Sequence, residues 1–126
     1  HLDSSIAARQ HAAEFYDNAF CGNPHLLIPT RSDRSTHVFH QYTLRLIDVD
    51  RDALRSALSE QGIPAMIYYP VPLHLQKAYQ DTRYKPGDFP VAERLAACVL
   101  SLPMHTELDN EQLSYITQAV LSFVNQ

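Results

Sequence analysis

Apolar residues at Leu2, Ile6, Ala13, Tyr16 and Phe20 recur at helical spacing, and Gly22 with Pro24 just beyond supplies a stop, so the spacing predicts a helix from Asp3 to about Phe20. Leu26-Leu27-Ile28-Pro29 is a short strand candidate. Val38, His40, Tyr42, Leu44 and Leu46 alternate with His37, Gln41, Thr43 and Arg45 at period two, which predicts a long half-buried strand with His40 on its apolar face. Asp50 reads as the N-cap of a helix that turns Leu54, Ala57 and Leu58 inward and closes at Gly62-Ile63-Pro64. Ala65 to Tyr69 then reads as a buried strand, Leu73 to Tyr79 as a short helix, and Thr82 to Asp88 as a turn-rich loop. Pro90 opens a helix whose apolar face runs through Val91, Leu95, Ala96, Cys98, Val99 and Leu102 until Pro103 stops it. Asp109 and Gln112 have capping-box spacing, and Leu113, Ile116, Val120 and Phe123 form the stripe of a last helix. The pattern is α+β, a small sheet flanked by helices.

At 126 residues the chain is one domain's worth of protein, residues 1–126. No apolar run approaches the ~18 residues of a membrane span, so no membrane partner is expected. The formal charge of −4 disfavours broad attraction to nucleic acid, and Arg31 and Arg34 read as part of a solvated loop. Cys21 and Cys98 form neither a CxxC site nor a disulfide framework, which suits the reducing cytoplasm. His1-Leu2-Asp3-Ser4-Ser5 has no basic n-region and no apolar h-region, and the chain reads as a piece of something longer.

Chemistry is sparse along most of the sequence. Asp48-Val49-Asp50-Arg51-Asp52 imitates the start of a calcium loop, but Ala53 stands where the turn demands Gly and Ser59 where a bidentate Glu is needed. On a regular strand His37 and His40 fall on opposite faces and cannot grip one metal, and His40 reads as a satisfied core histidine. No metal site is therefore expected. Lys77 and Lys85 occupy polar, surface-like settings, whereas a Schiff-base lysine needs a pocket that lowers its pKa.

The most informative stretch is Gly62 to Tyr79, where Pro64, Pro70 and Pro72 hold Tyr68, Tyr69 and His74 in one rigid connection. Proline presets φ and biases the preceding residue away from helix, so Tyr69-Pro70 and Val71-Pro72 should be extended, leaving backbone groups free for a ligand or a neighbouring subunit. A buried strand with an ordered, Pro-rich exit accounts for the same residues.

A series of blocks carries a family resemblance. His37 to Arg45 (HVFHQYTLR), Arg51-Asp-x-Leu54, Gly62-Ile-Pro, Tyr69-Pro-Val-Pro-Leu-His-x-Gln76, Phe89-Pro-Val-Ala-Glu93 and Leu102-Pro-Met-His105 resemble, in order and spacing, the C-terminal part of the DegT/DnrJ/StrS family of pyridoxal-phosphate-dependent sugar aminotransferases. Arg9 and Tyr16 look like the family's R-x6-Y opening of this region.

The resemblance implies the C-terminal small domain of a fold type I aminotransferase, with a mostly antiparallel sheet and helices packed on one face. Periodicity alone also allows a parallel crossover between His37 and Tyr69. In the family the cofactor lysine, the acid that pairs with the pyridine nitrogen and the phosphate grip belong to an N-terminal large domain, and nothing here matches them. The resemblance therefore implies pyridoxal phosphate in the intact enzyme and none in this chain, which by itself should be inactive. It implies as partners that large domain, a keto-sugar nucleotide, an amino donor and a second copy in a homodimer. Tyr68, Tyr69 and His74 are the candidate substrate-binding residues, although the family often has His where Tyr68 stands. A contrasting reading keeps the fold as a non-catalytic binding or assembly module that uses the Tyr69–His74 edge.

Overall fold

The computed structural model describes residues 1–126. Four helices and three strands follow in the order α1 (Leu2–Phe20), β1 (Leu26–Leu27), β2 (Tyr42–Leu46), α2 (Arg51–Glu60), α3 (Pro90–Cys98), β3 (Val99–Leu102) and α4 (Asn110–Val124). The sheet order is β1-β2-β3, antiparallel throughout, with Leu26 opposite Leu46 and Leu44 opposite Leu100. Local signals set several helix ends. The Asp50 carboxylate accepts from the Asp52 and Ala53 N–H groups, and Asp109 and Gln112 form a complete capping box at α4. Gly62 takes φ +75° at the close of α2, a conformation that other residues adopt at a cost.

Tyr42, Leu44, Leu100 and Leu102 point from the sheet into a core completed by Tyr16 and Phe20 of α1, Leu54 and Leu58 of α2, and Leu113 and Val120 of α4. Burial of this apolar surface is the principal stabilising contribution. The fold class expected from the sequence, a small antiparallel sheet with flanking helices, is the one observed. No helix is long and apolar enough to cross a membrane.

Five local expectations are corrected. The strand predicted from Val38 is regular only from Tyr42, because Phe39 takes φ +50° and breaks the alternation. Phe39 is thereby buried against Tyr42, and His40 lies exposed, not in the core. Ala65 to Tyr69 is not a buried strand. Its pairing with the sheet is the single bridge between Met66 and Ser101, and Tyr68 and Tyr69 are exposed. Leu73 to Tyr79 forms two 3₁₀ turns, Leu73–Leu75 and Lys77–Tyr79, separated by extended Gln76. The apolar face predicted to continue from Val91 to Leu102 divides, since the helix ends at Cys98 and Val99–Leu102 is a strand buried along its whole length. A continuous apolar run fits a buried strand as well as a helix face, and pairing with β2 selects the strand.

β3 lies between β2 and the Met66 bridge and is antiparallel to both, so these two segments run in the same direction on either side of it. The Arg31 loop is also better fastened than a solvated loop would be: its guanidinium pairs with Asp17 and lies 4.2 Å over the Phe39 ring.

Candidate functional site

The Met66 bridge fixes the start of the Pro-rich connection. Met66 and Ser101 exchange backbone hydrogen bonds of 2.9 and 2.7 Å, after which the N–H groups of Ile67, Tyr68 and Tyr69 meet no acceptor within the chain. Pro70 and Pro72 carry no N–H, and the chain bends at Pro70 and Val71 where an extended run was expected, with Pro72 itself extended ahead of Leu73. The Tyr68 and Tyr69 rings meet edge to face at 5.6 Å, and Tyr69 is 71% exposed. The peptide joining them is cis. Both rings line a cavity of about 600 Å³ walled by Val71, Pro72, Leu95 and Val99. An apolar hollow whose lining residues include two with unpaired N–H donors can bind a ligand that has a hydrophobic face and exposed oxygen acceptors.

His74 stands differently. Its side chain, 8% exposed, donates from Nε2 to Glu93 Oε1 at 3.0 Å and packs on the Phe89 ring at 4.7 Å. A carboxylate only accepts, so the Nε2 proton is on the histidine and Nδ1 is the ring nitrogen left without a partner in the chain. His74 lines an adjoining hollow of about 480 Å³ with Tyr79, Tyr84 and Phe89. Leu73, Tyr79 and Ala92 border both hollows. The structure thus brings Tyr68 and Tyr69 to one cavity and sets His74 in its neighbour.

Glu93 is the residue that sequence reasoning left without a role. Its carboxylate accepts from the Gly87 and Phe89 N–H groups as well as from His74. The Gly87 bond is the main cause that holds this carboxyl below the usual glutamate range, with His74 and Phe89 adding to it. The sequence did offer one signal, an acid in the first turn of a helix opened by Pro90. Lys77 and Lys85 are both exposed, and no group of three or more His, Cys, Asp or Glu is placed to hold a metal ion.

The DegT/DnrJ/EryC1/StrS aminotransferase family matches over residues 1–121, and the chain belongs to that family. A pleiotropic regulatory protein of Geobacillus stearothermophilus is 46% identical over 98 residues, 78% of this chain and 26% of the relative. The UDP-N-acetyl-3-dehydro-alpha-D-glucosamine 3-aminotransferase of Acidithiobacillus ferrooxidans is 40% identical over 120 residues, 95% of this chain and 31% of that enzyme. Among solved structures, DesV of S. venezuelae in complex with a ketimine intermediate superposes with a TM-score of 0.93 at 35% identity, over 100% of this chain and 33% of DesV. The chain spans about a third of the length of such relatives.

Proposed function

We propose that this chain is the C-terminal small domain of a pyridoxal-phosphate-dependent aminotransferase that acts on a keto-sugar nucleotide, and that Tyr68, Tyr69 and His74 form the substrate side of its cleft. The observation that carries the reading is that Tyr68 and Tyr69, whose N–H groups meet no acceptor in the chain, both line an apolar cavity. A sugar offers oxygen acceptors to such donors and C–H faces to such rings. His74 would serve from the adjoining hollow through Nδ1. The nucleotide-sugar names of the aminotransferase relatives favour this substrate class.

The residues present do not fit pyridoxal phosphate. A Schiff-base lysine needs an enclosed pocket, and Lys77 and Lys85 both stand in solvent. The cofactor and the amino-transfer chemistry are accordingly assigned to a large domain joined to this one, and the 126-residue chain by itself is expected to be inactive. The contribution of this domain is to bind and orient the sugar. Assembly as a homodimer in the cytoplasm completes the proposal.

The test is Tyr69→Ala and His74→Ala in the full-length protein, with single-turnover measurement of the amino-donor and sugar half-reactions. Each substitution is expected to weaken the sugar half-reaction by about 1–3 kcal/mol and to spare the donor half-reaction. Equal slowing of both would make the loop structural and overturn the assignment.

The 46% identity to a relative named as a regulatory protein favours one other reading, a non-catalytic binding module. The coding sequence upstream of His1 separates the two. A large domain with a cofactor lysine supports the enzyme, and an unrelated domain supports the module.

A further inference from the structure

One carboxylate ties together two separate segments of the chain, the His74 turn and the stretch from Gly87 into α3. Glu93, in the first turn of α3, accepts at Oε1 from His74 Nε2 at 3.0 Å, from the Gly87 N–H at 2.9 Å and from the Phe89 N–H at 3.4 Å, while Oε2 lies 3.0 Å from the same Gly87 N–H. The 81–89 loop and the helix start thus hold the carboxylate in place before it meets the histidine. His74 lies in the 3₁₀ turn that follows Pro72, and Pro70 and Pro72 restrict the backbone between it and Tyr69. A rigid segment anchored at both ends has little freedom between them. One anchor is the Met66 bridge, and the other is the His74–Glu93 hydrogen bond.

We infer that Glu93 is the positioning residue of the Tyr68–His74 loop: it fixes the His74 ring with Nε2–H toward itself and Nδ1 outward, and so sets where the Tyr69 ring and the free N–H groups stand. Glu93 acts through His74 and contacts no substrate. Its relevance to sugar binding rests on the function proposed above, whereas its hold on the loop does not.

The experiment uses the intact protein with Glu93→Ala, Glu93→Gln, His74→Ala and the Glu93→Ala/His74→Ala double variant. Amide exchange read by mass spectrometry follows Leu75 and Gln76, whose N–H groups bond to Pro72 and Leu73, with β2 and β3 as internal controls. Glu93→Ala and His74→Ala are each expected to speed exchange at Leu75 and Gln76 about tenfold with the strands unchanged, and the double variant to add nothing further. Glu93→Gln, which keeps an oxygen for Gly87, is expected to fall between wild type and Glu93→Ala, and it serves alone if the alanine variant does not fold. Unchanged exchange at Leu75 and Gln76, or equal acceleration in β2 and β3, overturns the inference. The sugar-nucleotide KM should rise about tenfold while the donor half-reaction holds. A loosened loop with an unchanged sugar KM would leave the hold of Glu93 standing and overturn the sugar-site reading instead.

Discussion

Met66 and Ser101 exchange both backbone hydrogen bonds, and through this one bridge the segment before Tyr68 hangs on the edge of β3. The bridge is thin. Met66→Pro deletes the N–H that bonds to the Ser101 carbonyl and leaves that acceptor with no donor at a buried residue, at an expected cost of about 1–3 kcal/mol. Urea unfolding measures the loss, and tyrosine fluorescence anisotropy should report freer Tyr68 and Tyr69. An unchanged midpoint would mean that the bridge adds nothing to what the prolines and the His74–Glu93 bond already hold.

How much of this was legible in the sequence depended on the range of the signal. Asp50 and the Asp109/Gln112 pair announced their helices because capping acts within one turn. β3 was hidden because a strand buried along its whole length has no alternation to read. Phe39 turned the His37–Gln41 segment by a positive φ that no local residue preference foretells, and its burial against Tyr42 and Arg31 is a tertiary effect. The candidate loop was visible in its prolines, but the partner of His74 stands 19 positions along the chain and has no local signature.

The Thr43 and Ser101 hydroxyls meet at 2.7 Å between paired strands. Ser101→Ala should cost about 1–2 kcal/mol because it strands the Thr43 hydroxyl, and Thr43→Val added to it should recover most of the loss. A thermodynamic cycle from urea unfolding checks the coupling. Strict additivity would show that the hydroxyls are indifferent to each other.

Arg9 Nη1 reaches the carbonyls of Phe39, His40 and Met104 at 3.1, 3.3 and 3.3 Å, and so ties α1 to the segment before β2 and to the loop after β3. Arg9→Met keeps the apolar stem but removes the donors, and is expected to cost about 1.5–3 kcal/mol. The loss should appear in unfolding midpoints together with faster exchange near Phe39. A stability within about 0.5 kcal/mol of wild type would exclude a structural role for the three contacts.

Tyr16 and Tyr42 are buried phenols. Tyr16 donates to the Pro103 carbonyl at 2.8 Å and Tyr42 to Asp17 Oδ1 at 2.7 Å. Burial pushes both pKa values up, and for Tyr42 the Asp17 hydrogen bond and charge add to it. A group raised in the folded state contributes stability that is complete below its unfolded pKa, near 10, and that is lost as pH climbs toward the folded value. Stability should therefore fall above about pH 10, and the phenolate absorbance of these two residues should appear only with unfolding. Tyr42→Phe is expected to reduce the alkaline loss, and an alkaline titration by absorbance and circular dichroism tests both statements.

Glu93 gives the opposite dependence at the acid end. Its carboxyl is held below the usual glutamate range by the Gly87 N–H first, with His74 and Phe89 adding to it, so the folded state favours the ionised form. For a depressed pKa the stabilisation is complete above the unfolded value, about 4.3, and is lost as pH falls from there through the folded value. The group titrates near the surface, so the loss should be local: the 81–89 loop and the His74 turn should loosen in acid while the core strands keep their protection. The pH dependence of amide exchange at Leu75 and Gln76 reads this directly. In Glu93→Gln, which has no proton to gain, the acid loosening should disappear. Loosening that persists unchanged in that variant would assign it to another acid, with Asp81, whose carboxyl is lowered by its bonds to Arg83, as the next to test.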